Sequence, residues 1–441
     1  MKIIQAVGWY HPETLGGTEV YVAGLSRRLR AAGHEVLVAA PDAHGPHERS
    51  YEHDGIPVYR YPIPPAPTRD ESQGRIPARG ADRFHAWLSS QRPDIVHMHT
   101  FVTGLGVHEL RAARAAGARV IVTSHSAALG YICQRGTLMR WGEEPCDGVL
   151  GPAKCAACEL QHRGLPRALA RAVGAVPPAI GRVGRALPGK LGTALGMSDL
   201  VVHNAAMQRE VLDTVHRFVV LTRWALDAVA ANGAPPEKLA LNRLGLSQSK
   251  VIPKPGPEDR PTRLPITLGY LGRFDVIKGV HDLVRAVSSL PRALPIGIEF
   301  RGPIGGEAEQ RVRAQLEVLA WDDSRVRVAA PVPEDQVPDT LARYDVLCCP
   351  SVCHEGGPTV ALEAHAVGTP VIGTRIGGLA ELVTDGVNGR LVATGDWRAL
   401  AQVLSEMADD PAGTIDRWRG ALPRARTMDE IAADYLALYT A

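Results

Sequence analysis

Two carboxylates, Glu355 and Glu363, bracket a segment in which a strand, a glycine loop and a helix start follow one another. The apolar run 346–349 predicts a buried parallel strand. Gly356–Gly357 lets the backbone approach a ligand closely, and Pro358 fits the first position of a helix. Such a helix start binds anions through its amides and its dipole. The carboxylates are either capping charge or acceptors for ligand hydroxyls. A ligand with hydroxyls at both ends and phosphates between them is a nucleotide sugar.

A pair of basic side chains, Arg273 and Lys278, follows the predicted strand that starts at Ile266. Phosphates need cations on a rigid backbone, and each charge-assisted hydrogen bond contributes about 1.5–3 kcal/mol. Two bases in a surface loop are the alternative interpretation. The position of the pair, just after glycines at a strand end, favours a phosphate site.

The order Glu-Gly-x-Pro, four residues, Glu-Ala, continued by segment 368–392, resembles the family 4 retaining glycosyltransferases (glycosyl transferases group 1). The resemblance covers most of the chain apart from roughly 130–198. It implies an α/β protein with the GT-B fold, in which two Rossmann-like domains face each other across a cleft. It also implies that a sugar moves from a UDP- or GDP-sugar to a hydroxyl acceptor with retention of configuration. The products would belong to polysaccharide, lipid-linked glycan or natural-product glycoside biosynthesis.

The resemblance gives these side chains individual roles. Glu355 would contact the donor sugar, and Glu363 would hold the ribose hydroxyls. Arg273 and Lys278 match the diphosphate pair of the family, and the loop with Val332 resembles the one that stacks on the base. The predicted donor-binding residues are Gly16, Gly17, Arg273, Lys278, Val332, Glu355, Gly356, Gly357, Pro358, Thr359 and Glu363.

The first forty residues predict a strand, a Gly-Gly loop, a helix and a second strand. This is a right-handed crossover unit whose loop, Gly16–Gly17, either faces a ligand or is only a tight turn. In the family that the chain resembles, this loop approaches the donor diphosphate.

Three histidines, His97, His99 and His125, fall at or just past the carboxyl ends of predicted strands, where open α/β sheets carry their sites. Each could instead be structural or merely exposed. His125 stands where the family often has an active-site histidine, so the resemblance places it at the donor sugar or the reaction centre. We expect His99 on the acceptor side. The predicted catalytic residues are His125, Glu355, Arg273 and Lys278.

Four cysteines lie within 26 residues and end in a Cys-x-x-Cys pair; they are Cys133, Cys146, Cys155 and Cys158. This pattern favours a structural, tetrahedral zinc site. An iron–sulfur cluster, a redox pair and unliganded thiols are the alternatives. A four-thiolate site leaves no open coordination position, so this zinc would not be catalytic. No catalytic metal is expected elsewhere, because no Asp-x-Asp motif is apparent and GT-B enzymes generally need none.

The segment 160–198 contains basic but no acidic residues. A basic amphipathic surface of this kind rests on anionic lipid, with each basic side chain contributing about 1 kcal/mol. That would suit a lipid-linked acceptor. A solvated face of loops and helices is the equal alternative. The basic residues are Arg163, Arg167, Arg171, Arg182, Arg185 and Lys190.

The length of 441 residues suits two domains. We predict an N-terminal acceptor domain over 1–249 with a cysteine-rich insertion at about 130–198, a linker over 250–265, a donor domain over 266–425, and a terminal helix over 426–441 that packs back on the first domain. Late strands of the first domain are expected at 200–204 and 218–222.

The formal net charge of +2 argues against a nucleic-acid partner. The chain has no run of about 18 apolar residues, and its start resembles a first strand more than a signal peptide. We therefore expect a cytoplasmic protein, with peripheral contact at the inner membrane face if the lipid hypothesis holds. The rival functions are a UDP-sugar 2-epimerase-like enzyme and a non-catalytic nucleotide-binding protein that docks a partner through the zinc lobe. The sugar, the base and the acceptor stay open.

Overall fold

The computed structural model describes residues 1–13, 16–246, 262, 264–303 and 305–441, which form two compact units. The first unit comprises Met1–Trp141, Cys146–Ser247 and Thr427–Ala441, and the second comprises Gly142–Pro145 and Gln248–Arg426. The linker predicted over 250–265 lies outside the described residues except for 262, 264 and 265, and it stays a prediction.

The first unit is built on a mostly parallel sheet. Up to residue 246 the described strands are β1 (Lys2–Ala6), β2 (Glu35–Asp42), β3 (Arg49–His53), β4 (Ile56–Pro62), β5 (Ile95–Met98), β6 (Arg119–Ser124), β7 (Met139–Arg140), β8 (Glu144–Pro145), β9 (Arg217–Val220) and β10 (Leu239–Leu241). Eight of these described strands form the sheet in the order β10-β9-β6-β5-β1-β2-β4-β3. β3 pairs antiparallel with β4, and the other neighbours pair in parallel.

The centre of this sheet is mostly apolar but contains buried polar side chains. Its strands are short hydrophobic runs, as expected where helices cover both faces. Gln5 on β1, His97 on β5 and Thr123 on β6 are nevertheless completely buried. Buried polar side chains need hydrogen-bond partners, so these three mark a polar network inside the core. The chain winds outward in opposite directions from β1 and β5, which makes their boundary the topological switch point where open α/β sheets bind ligands.

Helices flank the sheet of the first unit and build the insertion. They are α1 (Gly17–Ala31), α2 (Arg69–Ser72), α3 (Ala81–Gln91), α4 (Val107–Ala115), α5 (Pro152–His162), α6 (Arg167–Gly174), α7 (Pro178–Gly184), α8 (Gly189–Leu195), α9 (Met197–Thr214) and α10 (Arg223–Ala231). The strand predicted at 200–204 is wrong, because these residues lie in α9. The buried positions of α9 include 197, 201, 204, 208 and 211, a spacing of three and four residues that the short apolar run at 200–202 concealed.

The second unit contains a fully parallel sheet. Its strands are β11 (Ile266–Leu271), β12 (Ile296–Arg301), β13 (Val326–Ala329), β14 (Val346–Cys349), β15 (Val371–Thr374) and β16 (Gly389–Val392). Their order, β13-β12-β11-β14-β15-β16, is the doubly wound order of dinucleotide-binding folds. The switch point therefore lies between β11 and β14.

The remaining helices are α11 (Val280–Ser289), α12 (Glu307–Asp322), α13 (Val337–Leu341), α14 (Thr359–Ala366), α15 (Leu379–Leu382), α16 (Trp397–Asp409), α17 (Arg417–Gly420) and α18 (Met428–Thr440). Shorter turns are the 3₁₀ segments Pro236–Lys238, Val276–Lys278 and Glu334–Gln336 and the π segment Ala412–Asp416. α18 belongs to the first unit, where Ile431 and Tyr435 share a core cluster with Leu25 of α1. A capping box of Thr427 and Glu430 starts this helix. Within the described residues, no helix is both long and apolar enough to cross a membrane.

Candidate functional site

The carboxyl ends of β11 and β14 bring together two of the predicted catalytic residues. Lys278 ends the 3₁₀ segment after β11, and Glu355 follows β14. The Lys278 ammonium donates to the Glu355 carboxylate at 2.6 Å. Gly279 makes this approach possible: its φ is +69°, and a Cβ there would collide with the carbonyl oxygen of Pro350 at the end of β14. The two loops are therefore packed backbone against backbone.

The glycine loop after β14 is held by a second glycine turn. The amide of Gly378 donates to the carbonyl of Glu355 at 2.8 Å. A Cβ on Gly378 would lie 2.7 Å from the Cα of Gly357, whose own φ is +136°. Both Gly357 and Gly378 are thus required by local packing, in addition to any ligand.

The helix start predicted at Pro358 is displaced by one residue. Pro358 is the N-cap and Thr359 the first residue of α14; among the described residues, no side chain caps this end. Gly368, just beyond the helix, has the positive φ (+83°) of a terminating residue. The helix therefore presents its first amides at the loop of Glu355, the arrangement that favours an anion.

Glu363 lies in the second turn of α14 in a largely buried position. Burial, followed by the negative charge of Glu334, raises the pKa of Glu363 to about 7. Glu334 belongs to the 3₁₀ segment that follows Val332, so the loop predicted to stack on the base approaches the carboxyl predicted to hold the ribose.

Arg273 is half-exposed, and its nearest acids differ from that of Lys278. Its Nη1 lies 3.5 Å from Asp275 Oδ2 and 3.8 Å from Glu309 Oε1. The hydroxyl of Tyr270 donates to the Arg273 carbonyl at 2.7 Å and holds the backbone there. The structure thus pairs Lys278 with Glu355 and leaves Arg273 with acids from its own loop and from α12.

Cys353, two residues before Glu355, is a packing residue. Its side chain is buried, and burial, followed by the charge of Glu355, raises the pKa of Cys353 to about 12. At neutral pH it is a protonated thiol, which argues against a reactive nucleophile beside the donor.

Two of the predicted histidines of the first unit form a contacting pair, in which His99 is buried and His125 is partly buried. His125 follows β6 and His99 follows β5, and His99 Nδ1 lies 3.1 Å from His125 Nε2. The Tyr21 ring of α1 packs edge-on against His125. Burial lowers the pKa of His125 to about 3 and holds the pKa of His99 well below its usual value. Both rings are therefore neutral near pH 7.

The hydrogen bonds of this pair fix its protons. His99 Nε2 lies 2.6 Å from the amide oxygen of Gln5, which only accepts, so His99 carries its proton on Nε2. Its Nδ1 is then an acceptor, and His125 must donate from Nε2. His125 Nδ1 consequently carries the lone pair and can accept a hydrogen bond from a hydroxyl group.

The pair is connected to the terminal helix α18. The Gln5 amide donates to the hydroxyl of Tyr439 at 3.5 Å, and that hydroxyl lies 2.7 Å from His97 Nδ1. His97 Nε2 lies 2.7 Å from Thr123 Oγ1. Sequence reasoning missed Gln5 and Tyr439, although a glutamine inside the apolar run Ile-Ile-Gln-Ala-Val was a signal of a buried polar contact.

His99, which we expected on the acceptor side, has little exposed surface. The side chain is 1% exposed and lies against Gln5 and His125. The acceptor-side role of His99 stays a prediction, and the contact that the structure shows for this ring is with His125.

The Gly-Gly loop begins α1, and its preceding residues Thr14 and Leu15 lie outside the described part of the chain. Gly16 is the N-cap, and a Cβ there would collide with the carboxylate of Glu19. Burial raises the pKa of Glu19, while the backbone amides of Glu19 and Gly16 oppose that shift. Around Gly17, in contrast, a Cβ would meet open space. Because the Glu19 carboxylate is the far end of a flexible side chain, local packing requires glycine at neither position.

A cavity of about 570 Å³ in the first unit is large enough for a glycan or small-molecule acceptor. It lies between the loop after β5, the loop after His125 and helices of the insertion. Its polar and aromatic lining includes Arg69, Phe101, His108, Tyr131, Arg163 and Asn204.

The predicted zinc ligands Cys133, Cys146, Cys155 and Cys158 line one small cavity in the first unit. Within the described residues, no group of three or more His, Cys, Asp or Glu side chains is arranged to hold a metal ion. The zinc assignment therefore stays a prediction.

Both units match known protein families. Residues 16–245 match the glycosyl transferase 4-like domain, and residues 265–410 match the glycosyl transferases group 1. The D-inositol 3-phosphate glycosyltransferase of Streptomyces avermitilis is 26% identical over 449 residues, which cover 97% of this chain and 83% of the relative. The same enzyme from Streptomyces coelicolor is 27% identical over 454 residues, with 97% and 87% covered.

Solved structures extend the likeness over the whole chain. Sucrose-phosphate synthase from Thermosynechococcus elongatus superposes with a TM-score of 0.65 at 18% identity, covering 100% of this chain and 98% of that one. HepE of Anabaena in complex with UDP and glucose superposes with a TM-score of 0.63 at 16% identity, covering 99% of both. At these identities the likeness shows the fold, which is that of the GT-B glycosyltransferases.

Proposed function

The chain belongs to the glycosyl transferase group 1 family and is a glycosyltransferase, and from this premise we propose that it moves a sugar from a nucleoside diphosphate sugar to a hydroxyl acceptor with retention of anomeric configuration. The observation that carries the proposal is the Lys278–Glu355 ion pair at the switch point of the second sheet. It sets a cation for the departing phosphate beside a carboxylate for sugar hydroxyls.

The nucleotide end of the donor fits the neighbouring elements. Glu363 would accept from the ribose hydroxyls, and the loop with Val332 would cover the base. HepE, which shares the fold, is solved with UDP and with UDP-glucose, so a UDP-sugar is the donor that we test first.

The departing diphosphate gathers negative charge as the sugar–phosphate bond breaks. Lys278, Arg273 and the first amides of α14 would stabilise that charge, and Arg273 would exchange Asp275 and Glu309 for phosphate oxygens. The acceptor oxygen bonds to the anomeric carbon on the face that the phosphate leaves. Its proton passes to the departing phosphate.

The first unit would orient the sugar through hydrogen bonds to uncharged side chains. His125 presents a neutral Nδ1 that accepts a hydrogen bond from a sugar hydroxyl, and its ring is held by His99 and Tyr21. The cavity of about 570 Å³ in the same unit would admit the acceptor.

We also propose that the segment 160–198 rests on anionic lipid. Five of its large apolar side chains are 42–75% exposed: Leu169, Ile180, Val183, Leu187 and Leu191. Exposed basic side chains accompany them on α6, α7 and α8, including Arg167, Arg182 and Lys190. Apolar side chains that enter the interface beside cations that attract its phosphates are the features of a peripheral surface. A lipid-linked acceptor would suit such an enzyme.

Calorimetry tests the donor, with UDP-glucose, UDP-N-acetylglucosamine, GDP-mannose and their bare nucleotides as ligands. We expect micromolar binding of one base series, followed by transfer to a hydroxyl acceptor with the donor configuration kept in the product. Conversion of UDP-N-acetylglucosamine alone into its 2-epimer would favour the epimerase alternative. Failure of all these ligands to bind at millimolar concentration would overturn the donor site.

Vesicle flotation tests the lipid surface, with phosphatidylcholine vesicles that either contain or lack phosphatidylglycerol. The Ile180→Glu/Val183→Glu variant should lose binding to the anionic vesicles. The matched control is Val318→Glu, which changes a side chain that is 67% exposed on α12 in the second unit. Equal binding to both vesicle types, or none, would contradict the proposal.

A further inference from the structure

The four cysteines of the insertion surround a single small cavity of about 30 Å³, which they line together with loop and helix residues. A cavity this small suits a single metal ion. The cysteines come from three separate stretches, so a shared centre would tie the insertion together. We propose that Cys133, Cys146, Cys155 and Cys158 bind one structural Zn²⁺ as thiolates.

Helix α5 supplies two of the ligands. Pro152 is its first residue, and Cys155 and Cys158 follow within its first two turns. A spacing of three residues puts both sulfurs on the same side of a helix.

Backbone amides already point at three of the sulfurs. Leu138 N–H donates to Cys133 Sγ at 3.4 Å, Trp141 N–H to Cys158 Sγ at 3.4 Å, and Gly151 N–H to Cys155 Sγ at 3.5 Å. Hydrogen bonds of this kind orient metal-bound sulfur and stabilise its charge.

Two of these amide donors have a strained backbone. Leu138 has a φ of +50° and Trp141 a φ of +57°, a region that bulky residues rarely adopt. Such strain persists where the surrounding structure enforces it, typically at a functional site. Here it turns two amides toward the sulfurs of Cys133 and Cys158, which a bound metal would hold in place.

The charge around the cavity suits a tetrathiolate site. Zn²⁺ with four thiolates has a net charge of −2, and the cavity lining contains Arg135, Arg140 and Lys154. The acidic Glu159 in the same lining is paired with Arg163 at 2.7 Å. Lys154 is itself paired with Asp147, so Arg135 and Arg140 supply the excess of positive charge beside the cavity.

Two sulfurs must turn to complete the site. The Cys146 thiol donates to Asp147 Oδ1 at 3.6 Å, and the Cys158 thiol to the Met139 carbonyl at 3.9 Å. Zinc binding displaces both thiol protons, which removes these long hydrogen bonds and frees the sulfurs to face the cavity. Affinity for zinc should consequently increase with pH.

The metal would also stiffen the wall of the acceptor cavity. The Cys133 amide donates to the Ala128 carbonyl at 3.0 Å in the loop that leaves His125, and Cys133 lines the 570 Å³ cavity as well. Only this consequence rests on the proposed function, since metal content is measured without turnover.

Elemental analysis of the full chain, purified without chelator, is the first test. We expect about one zinc per chain. A mercurial that modifies thiols should release that zinc to a colorimetric chelator. Iron with acid-labile sulfide, or less than about 0.2 metal per chain, would overturn the proposal.

Variants then locate the site. Cys155→Ser/Cys158→Ser should lose the zinc, whereas Cys348→Ala, which changes a buried cysteine of β14, should keep it. If the double variant does not fold, the wild-type chain loaded with Co²⁺ replaces it. Intense sulfur-to-cobalt absorption and tetrahedral visible bands would support four thiolates, and their absence would contradict them.

Discussion

The polar groups at the two switch points differ in charge. In the first unit, Gln5, His99 and His125 are joined by hydrogen bonds and are neutral, since burial lowers the pKa values of both histidines. In the second unit, Lys278 and Glu355 form an ion pair whose side chains are 27% and 17% exposed. The switch point of the first sheet therefore carries neutral groups in a hydrogen-bonded network. That of the second sheet carries an ion pair that is partly exposed to solvent.

This difference matches the chemistry of the two kinds of ligand group. Hydroxyl groups of sugars and acceptors are uncharged, so a protein orients them through directional hydrogen bonds. An imidazole nitrogen in a fixed position provides such a hydrogen-bond acceptor. A diphosphate needs cations, and cations remain charged only where solvent or a partner compensates for burial. An imidazolium in the place of His99 would be desolvated without an acid to pair with, which explains why the buried network stays neutral.

Removing the positive charge of Lys278 should have the largest effect on turnover. The Lys278→Ala variant removes the cation beside Glu355 and leaves the departing phosphate without its nearest ammonium. We expect kcat to fall about 10²–10³-fold with the fold intact, as for other preorganised electrostatic groups. Steady-state kinetics with the identified donor measures this change. The matched control is Arg285→Ala, an exposed basic residue on α11, which should keep full turnover; equal losses would refute the role of Lys278.

Disrupting the neutral hydrogen-bond network of the first unit should have a smaller effect on turnover. Tyr439→Phe removes the hydroxyl that links Gln5 to His97 and leaves two buried polar groups without their partner. Because the Gln5 amide is then free to rotate, the proton of His99 is no longer fixed and His125 Nδ1 loses its assigned role. We expect kcat to fall about tenfold at unchanged donor KM, equivalent to one or two buried hydrogen bonds.

Tyr435→Phe is the matched control for that prediction. It removes a hydroxyl from the same helix that lies 3.1 Å from the Tyr21 hydroxyl and 2.8 Å from Thr123 Oγ1. Both variants should lower the denaturant midpoint similarly. If both also lower kcat similarly, the effect is one of helix stability, and the account of the His125 proton fails.

The sequence indicated the Lys278–Glu355 site more completely than the neutral network of the first unit, and the reason is physical. Lys278 and Glu355 stand in loops right after strands, with glycines beside them, so local pattern and resemblance both reveal them. Gln5 and Tyr439 are 434 residues apart, and only the folded sheet brings them together. No local pattern contains that contact.

The wrong prediction of a strand at 200–204 reflects the same distinction between local and tertiary information. The apolar run at 200–202 is compatible with a strand or a helix, and the spacing of buried residues in α9 decides it only over three turns or more. The position of His99 just past a strand end likewise shows neither the burial of this side chain nor its contact with His125. The terminal helix predicted over 426–441 is α18, at 428–440, and its prediction needed no tertiary information.

The smallest expected effect is the pH dependence of donor affinity through Glu363. The pKa of this carboxyl is raised to about 7, mainly by burial, so the group holds a proton at pH 6 and is ionised at pH 8. Ribose hydroxyls donate to the ionised form, so binding lowers the pKa of Glu363, and affinity should rise with pH. If only the ionised form binds, linkage gives about a tenfold gain between pH 6 and pH 8.

Calorimetry should use the intact nucleotide sugar, because its diphosphate is esterified at both ends and does not titrate in this range, unlike the terminal phosphate of a bare nucleotide. The matched variant is Glu363→Gln, which keeps an acceptor oxygen but cannot ionise. It should bind the donor more weakly than the wild type does at pH 8, with an affinity that changes little with pH. A wild-type affinity that is flat across this range would remove Glu363 from the ribose contact, and an equal slope in both proteins would assign the titration to another group.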